Sequence, residues 1–257
     1  MDYEEPTWGR VGADELASIV VLSPHFDDAA MGAGQMLLRH ADRSRTTVIT
    51  VLGGRPPAYP DPPTAWDALG GFRAGDDVVA VRREEDRAAM EVLGAVPVWL
   101  EFADHQYLAP ADRPRPDAVA PVLAEAILAA HPTAVFVPMG LANPDHVMTH
   151  EAARLVADAH AELAWFCYED HGYKHLPGLL AWRVAKLMRS GLWPTPALVP
   201  VESETEQKRK AIWCYTSQIP PLEADHALSE RLDANVPEQF WRLAPPPRGW
   251  EGLAGDL

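Results

Sequence analysis

Short runs of apolar and β-branched residues alternate with amphipathic stretches along the first two thirds of the chain. The pattern predicts strands over 18–23, 46–52, 97–102, 133–139 and 163–170, and helices over 29–41, 77–94, 116–131 and 144–161. Apolar strands that alternate with helices are typical of a parallel sheet covered by helices on both faces. We therefore predict an α/β protein with a mostly parallel sheet.

After about residue 168 the pattern is less regular. It predicts helices over 178–190 and 203–218, the second with Ser203 as N-cap and Glu206 at the third helical position, and an edge strand over 196–202. The tail from Pro220 is rich in proline and acidic residues, with Trp241 and Trp250 as candidate anchors. We expect one domain over 1–257, with a core at about 17–218 and a C-terminal extension at about 219–257.

The segment between the second strand and the next helix, 53–77, has no predicted regular structure. Loops longer than about 12–15 residues are usually functional or disordered. This loop carries Tyr59, Trp66 and Phe72, and aromatic residues argue against disorder. We expect it to form a lid or a wall of a pocket.

Composition excludes some partners. The net charge is −15 and the isoelectric point is about 5.0. Proteins that bind nucleic acids or anionic membranes instead carry clusters of lysine and arginine. No apolar run approaches the roughly 18 residues of a membrane span, and the acidic N-terminus does not resemble a signal peptide. We expect a soluble, cytoplasmic protein that acts on a small molecule. Its oligomeric state, monomer or homo-oligomer, stays open.

Polar side chains gather where the predicted strands end. Because ligands of such sheets bind beyond the carboxyl ends of the strands, these residues are expected to meet at one edge. They are His25, Asp27 and Asp28 after the first strand, Asp104 and His105 after the third, and Asn143, Asp145, His146 and His150 after the fourth.

Two histidines and one carboxylate suit Zn²⁺ with an open fourth position, and His25, Asp28 and His146 are the predicted ligands. A bound metal lowers the pKa of its water, and Asp27 is placed to accept that water's proton as general base. Asn143 is a candidate hydrogen-bond donor to the tetrahedral oxyanion. Histidine and carboxylate ligands also accept Fe²⁺ or Co²⁺.

Other interpretations of the same residues, most of them purely structural, remain open. "NPD" at 143–145 also fits a turn and helix cap, with Asp145 in that role. His146 and His150, four residues apart, could bind a metal as a pair or be ordinary helix residues. The charged run "RREEDR" normally forms a solvated helix face.

Five motifs, in this order, resemble those of the LmbE-like, or PIG-L-like, family of zinc-dependent N-acetylglucosaminyl deacetylases: "SPHFDD", "RREEDRAAMEVLGA", "NPDHVMTHEA", "YED" and "KRKAIWCYTSQ". The resemblance covers roughly 17–218. It implies a Rossmann-like fold and hydrolysis of an N-acyl group from an amino sugar. It also implies zinc ligands at His25, Asp28 and His146, a general base at Asp27, and contacts of Arg82 and Asp104 with sugar hydroxyls.

Several positions depart from the family pattern. Phe26 and Ala29 replace a proline and a glutamate, Asn143 replaces a histidine of many members, and Leu141 replaces a tyrosine of some. Asparagine can donate to an oxyanion but cannot deliver a proton. Protonation of the leaving amine is therefore assigned to Asp27, after it has taken the proton of the water.

The leading hypothesis is a metal-dependent amidohydrolase that removes an acyl group, acetyl by family analogy, from an amino sugar on a small conjugate. Thiol-sugar, glycolipid-precursor and secondary-metabolite conjugates all fit, and the aromatic 53–77 loop favours a bulky or hydrophobic aglycone. Two alternatives stay open. One is an amidase for a thiol conjugate or a longer acyl chain, and the other is a decayed, non-catalytic sugar-binding domain.

Overall fold

The computed structural model describes residues 9–41, 45–203 and 205–246. Its seven-stranded sheet has the strand order β3-β2-β1-β4-β5-β7-β6. The strands are β1 Ser18–Ser23, β2 Arg45–Thr50, β3 Val96–Trp99, β4 Ala134–Pro138, β5 Ala164–Tyr168, β6 Thr195–Ala197 and β7 Phe240–Arg242. β1 to β5 are parallel, and β7 is antiparallel to both of its neighbours. This confirms the predicted α/β class and the mostly parallel sheet.

Helices cover both faces of the sheet. They are α1 Asp28–His40, α2 Ala65–Leu69, α3 Val78–Leu93, α4 Pro116–Ala129, α5 Pro144–Ala159, α6 Leu179–Arg189, α7 Glu206–Ile212, α8 Ile219–His226 and α9 Leu228–Asp233. Successive residues of β1 supply the two cores: Ile19 and Val21 pack with α1 and α3, and Val20 and Leu22 pack with α4 and α5. The period-two alternation of a strand explains why every residue of this apolar run is buried.

The long loop is partly ordered by a short helix. Thr64 is the N-cap of α2, and its hydroxyl accepts a hydrogen bond from the Asp67 amide at 3.1 Å. Asp77, at the other end of the loop, caps α3 through the Ala80 amide at 3.1 Å. At its other end α3 is capped by Gly94, which has a left-handed φ of 66°. These caps set the path of the loop between β2 and α3.

Helix α1 is interrupted at Ala33, whose φ and ψ are −139° and 16°. The break leaves the amides of Gln35 and Met36 without helical partners, and the Glu238 carboxylate accepts both at 2.8 and 3.0 Å. Lys208 completes the arrangement with an ion pair to Glu238 at 2.7 Å. Glu238, in the C-terminal part of the chain, therefore caps the second half of α1, the helix that follows β1.

Several sequence predictions about the second half need correction. The edge strand expected over 196–202 is β6, which covers only Thr195–Ala197. The helix expected over 203–218 covers only Glu206–Ile212, and Thr205, not Ser203, is its N-cap. Glu206 is therefore the first helical residue. The strand β7 was not predicted, and it carries Trp241 into the sheet, where the indole donates to the Glu169 carboxylate at 3.1 Å. Trp250 lies outside the described residues.

Candidate metal centre

The first strand delivers three of the predicted site residues. β1 ends at Ser23, whose hydroxyl accepts a hydrogen bond from the Ala29 amide at 2.9 Å and so closes the turn into α1. Within the turn, the His25 amide donates to Asp28 Oδ2 at 2.9 Å. This local network fixes His25 and Asp28 on the same side of the turn.

His25, Asp28 and His146 come together as the sequence predicts. Asp28 Oδ2 lies 3.2 Å from His25 Nδ1 and 3.3 Å from His146 Nε2. Ligand atoms that surround a tetrahedral Zn²⁺ at about 2.1 Å lie about 3.4 Å from one another. The donor set and its spacing therefore fit a divalent cation bound to Nδ1 of His25, Oδ2 of Asp28 and Nε2 of His146.

Each histidine of this group has a carboxylate on its other ring nitrogen. Asp145 Oδ2 lies 3.1 Å from His25 Nε2, and Asp170 Oδ1 hydrogen-bonds His146 Nδ1. Such carboxylates fix the tautomer and orientation of metal-ligating histidines. Neither Asp145 nor Asp170 was given this role from the sequence. The signal available there was their position at strand ends, Asp145 in "NPDH" and Asp170 in "YED".

The electrostatics of the group favour a cation. Burial opposes protonation of His146, but the charges of Asp28 and Asp170 prevail and raise its pKa to about 10. Burial likewise opposes protonation of His25, yet Asp145 and Asp28 raise its pKa well above the usual value. Protons thus compensate the buried carboxylates, and a metal ion would replace those protons on binding.

Asp27 precedes α1 and lines the same cavity as the two histidines. Its side chain makes no hydrogen bond to the end of the helix. Burial, reinforced by the charge of Asp28, raises the pKa of Asp27 to about 7. The geometry therefore leaves a buried carboxyl that does not cap the helix next to the metal-binding group.

Asn143 also lines the cavity, at the start of α5. Its side-chain oxygen accepts from the Asp145 amide at 2.8 Å, so Asn143, rather than Asp145, caps the helix. Its side-chain nitrogen donates to the Tyr173 hydroxyl at 3.2 Å. The Tyr173 ring packs edge-on against His146, with 5.4 Å between ring centroids. Tyr173 is a cavity residue that the sequence did not indicate.

The two residues predicted to hold sugar hydroxyls lie in different places. Asp104 lines the cavity, and its carboxylate accepts from the amide and the side chain of Gln106 at 2.9 and 2.7 Å. Arg82 is not among the cavity residues. It is 3% exposed and forms an ion pair with Asp67 at 2.8 Å, so the structure does not support direct substrate contact by Arg82.

His150 does not join His146 in a metal-binding pair. Its Nδ1 donates to the carbonyl oxygen of Pro138 at 2.8 Å, and it belongs to neither His/Asp group that could hold a metal in the described part of the chain. Burial, together with the nearby charge of Arg183, lowers the pKa of His150 to about 3. It is a neutral core histidine.

The cavity has a volume of about 210 Å³. Its lining includes the metal-binding group. It also includes a set of largely apolar and aromatic side chains, here called the apolar wall: Met31, Trp66, Tyr173, Leu222 and His226. Trp66 comes from α2 in the 53–77 loop, and its indole donates to Gln218 at 2.7 Å. The loop thus supplies a wall of the cavity.

Comparison with known proteins agrees with this geometry. The family described as PIG-L, GlcNAc-PI de-N-acetylase, matches residues 20–157. The structure is similar to the A40926 pseudoaglycone deacetylase Dbv21, at 25% identity and a TM-score of 0.73 over 89% of this chain and 98% of that one. No curated protein matches the chain by sequence.

A deacetylase–bog complex from the teicoplanin biosynthesis pathway is similar at 26% identity, with a TM-score of 0.73 over 90% of this chain and all (100%) of that one. The N,N'-diacetylchitobiose deacetylase from Pyrococcus horikoshii shares the fold, at 18% identity and a TM-score of 0.56 over 90% and 85% of the two chains. Within the residues described, no helix is long and apolar enough to cross a membrane. The chain belongs to the PIG-L, or LmbE-like, family of N-deacetylases and is an amide hydrolase of that family.

Proposed function

We propose that this deacetylase uses Zn²⁺ and removes an acetyl group from an amino sugar attached to a bulky, partly apolar aglycone. The observation that carries the proposal is one cavity that joins the metal-binding group of His25, Asp28 and His146 to Asp27 and to an apolar wall. Fe²⁺ and Co²⁺ fit the same ligands, and the identity of the metal is part of the proposal.

When bound, the metal would polarise the acyl carbonyl and lower the pKa of the attacking water. Asp27 is assigned as general base, because it is a buried carboxyl beside the metal-binding group. It takes the proton of the water and returns it to the nitrogen of the leaving amine. Asn143 carries no transferable proton, so this return is not assigned to it.

Asn143 and Tyr173 are assigned to the developing oxyanion. The Tyr173 hydroxyl accepts its hydrogen bond from Asn143, which leaves the phenolic proton free to donate toward the cavity. A donor aimed at the oxyanion is worth about 10²–10³ in kcat when it is well placed. Tyr173 therefore extends the role that the sequence analysis gave to Asn143 alone.

The apolar wall supports the choice of substrate. Trp66, Met31 and Leu222 offer a surface on which a hydrophobic or aromatic aglycone can pack, while Asp104 accepts hydroxyl protons. Two similar solved structures, each at 25% identity, are named as a deacetylase of the A40926 pseudoaglycone and as a deacetylase–teicoplanin complex. An aglycone like that of A40926 or teicoplanin is therefore the leading candidate.

A longer acyl chain or a thiol conjugate is the second candidate, because the same wall could hold either one. The two are separated by a substrate panel that varies the acyl group and the aglycone independently. We expect turnover to fall when the aglycone is reduced to a methyl group and the acetyl group is kept. Turnover that instead rises with acyl length would favour the second candidate.

The test of the proposed function is release of acetate and free amine, followed by mass spectrometry. Activity is expected to disappear with a chelator and to return with Zn²⁺. Asp27→Asn should keep the metal content and lose about 10²–10⁴ in kcat, the usual contribution of a general base. Asp117→Asn, an exposed carboxylate on α4, is the matched control. Full turnover in Asp27→Asn, or none by the metal-loaded chain on any member of the panel, would refute the proposal.

A further inference from the structure

A second group of metal-ligating side chains lies beside the first. It consists of His25, Asp104, His105 and Asp145, which offer ligand atoms that all lie within 4.8 Å of one another. His105 opens the turn after β3 and lines the cavity, and neither the sequence motifs nor the proposed reaction uses it. Asp104 and His25 line the cavity as well, so an ion can reach the group from solvent.

The spacing of this group matches that of the first one. His25 Nε2 lies 3.1 Å from Asp145 Oδ2 and 3.9 Å from Asp104 Oδ2, and His105 Nδ1 lies 3.5 Å from Asp104 Oδ1. These values bracket the roughly 3.4 Å between neighbouring ligands of a tetrahedral divalent ion. His105 Nδ1 also hydrogen-bonds Asp145 Oδ2, so both histidines already converge on one carboxylate oxygen.

The charge balance leaves room for a second cation. Across the described residues, the ion pairs of Asp28, Asp104, Asp145 and Asp170 are made with histidines, and no lysine or arginine takes part. The buried guanidinium of Arg82 is paired with Asp67 instead. Four carboxyl groups other than Asp27 surround the two metal-binding positions. One divalent ion supplies only two positive charges against them.

We propose that the chain binds a second divalent cation through Asp104, His105 and Asp145, with Nε2 of His25 as the fourth ligand. The inference rests on the proposed function only in that the first ion takes Nδ1 of the same His25. His25 then bridges the two ions through its two ring nitrogens. Its Nε2 proton, which otherwise donates to Asp145, leaves to solvent when the second ion binds.

Binding of the second ion has a consequence for the reaction. It turns Asp104 from an acceptor of substrate hydroxyls into a metal ligand, and it takes Asp145 away from its hydrogen bond to His25. The ion would also occupy part of a cavity of only about 210 Å³. Deacetylation is therefore expected to rise up to one equivalent of metal and to fall again when the second position fills.

The test counts metal ions. The full chain is stripped with a chelator, dialysed against a graded series of Zn²⁺ concentrations and analysed by elemental mass spectrometry. Co²⁺ absorbance is followed in a parallel titration. We expect two ions per chain in two separate steps, and one ion in both His105→Ala and Asp104→Asn. His160→Ala removes a histidine that pairs with exposed Glu162, and this matched control should keep both ions.

Each outcome decides between the two proposals. Saturation of the wild type at one ion overturns the second site and leaves the proposed function standing, whereas binding of no ion overturns both. Two ions in His105→Ala and Asp104→Asn would place the second ion elsewhere and also overturn the inference. Thermal unfolding of the stripped variants checks that each one folds. The ratio of activity at excess metal to activity at one equivalent should rise in His105→Ala.

Discussion

Replacing Glu238 by alanine is expected to destabilise the fold far more than a substitution in the C-terminal region would suggest. Glu238 and Lys208 are 8% and 7% exposed, and their ion pair measures 2.7 Å. The same carboxylate accepts the amides of Gln35 and Met36 at the break in α1. The substitution therefore leaves a buried ammonium and two buried amides without their partner.

The magnitude follows from these partners. Removing one member of a buried ion pair costs about 3–5 kcal/mol, because the remaining charge loses its compensation. A buried polar group without a hydrogen-bond partner costs about 1–3 kcal/mol. Because these costs are not additive, we expect Glu238→Ala to lower the free energy of unfolding by about 4 kcal/mol. At about 2–4 °C per kcal/mol, the melting temperature should fall by roughly 10 °C.

The assay is urea unfolding at neutral pH, with chelator present so that metal binding does not contribute. The double variant Lys208→Met/Glu238→Ala removes the stranded ammonium and should recover about 2 kcal/mol, which leaves the cost of the amides. Asp233→Ala is the control, since it breaks an ion pair with Arg209 of equal length, 2.7 Å, at the surface. That pair should contribute less than about 1 kcal/mol. Equal losses in Glu238→Ala and Asp233→Ala would refute the reasoning, as would a double variant no more stable than the single one.

Three further predictions concern packing, pH and metal affinity. Gly32→Ala places a methyl group 2.4 Å from the Tyr168 ring, and it should cost about 1–3 kcal/mol in urea unfolding. His150→Asn keeps a side-chain donor toward β4. In the folded wild type the pKa of His150 is about 3, so the imidazole stays neutral above that pH. In the unfolded chain the same imidazole takes up a proton near pH 6.5. The wild type should therefore lose stability as the pH falls from 6.5 toward 4, and this slope should be shallower in the variant by about 1.4 kcal/mol per pH unit. Asp170→Asn should weaken metal binding about 10–100-fold in chelator competition, because it alters the partner of His146 Nδ1.

Each of these predictions has its own control. In Gly34→Ala the nearest atoms to the new methyl group belong to the aliphatic part of the Lys208 side chain, at 3.0 Å rather than 2.4 Å, so the variant should cost less than Gly32→Ala. His160→Asn, which replaces a partly exposed histidine, is the matched control for the histidine-to-asparagine change. Asp158→Asn should leave metal affinity unaltered. Equal costs for the two alanine variants, a pH slope in His150→Asn that matches the wild type, or undiminished affinity in Asp170→Asn would contradict the respective argument.

The sheet and the convergence of His25, Asp28 and His146 follow from the sequence for a simple physical reason. A strand buried on both faces must be apolar along its whole length, so the parallel strands stand out as uninterrupted apolar runs. The residues just after such strands meet at one edge, whatever the loops between them do. The side chains that lie close together at this edge can therefore be predicted from their positions relative to the ends of the strands.

Arg82 shows where such reasoning fails. In "RREEDR" the charges alone indicate a solvated helix face, yet α3 buries Arg82, Glu85 and Asp86. The partner that makes burial of Arg82 tolerable is Asp67, fifteen positions earlier in the loop with no predicted structure. A buried ion pair depends on a contact between distant parts of the chain, and periodicity carries no information about it.

Asp145 and β7 were missed for related reasons. A carboxylate in the first turn of a helix normally stabilises that turn, but Asn143 already caps α5, and this frees Asp145 for His25. β7 has three residues in a tail rich in proline, too short to show alternation, and its pairing with β5 and β6 fixes it. Both features are set by neighbours that the local sequence does not reveal.

The position of β7 also dictates an order of events during biosynthesis. β7 follows the other described strands along the chain, yet it lies between β5 and β6 in the sheet, so β6 gains its strand partner only when β7 has been made. While a ribosome is still synthesising the residues before Phe240, the nascent chain holds the outer edge of β5 open. Open strand edges are templates for aggregation. A product that terminates before Phe240 would lack β7 and leave β6 without its strand partner, and we expect it to aggregate more readily than the full chain.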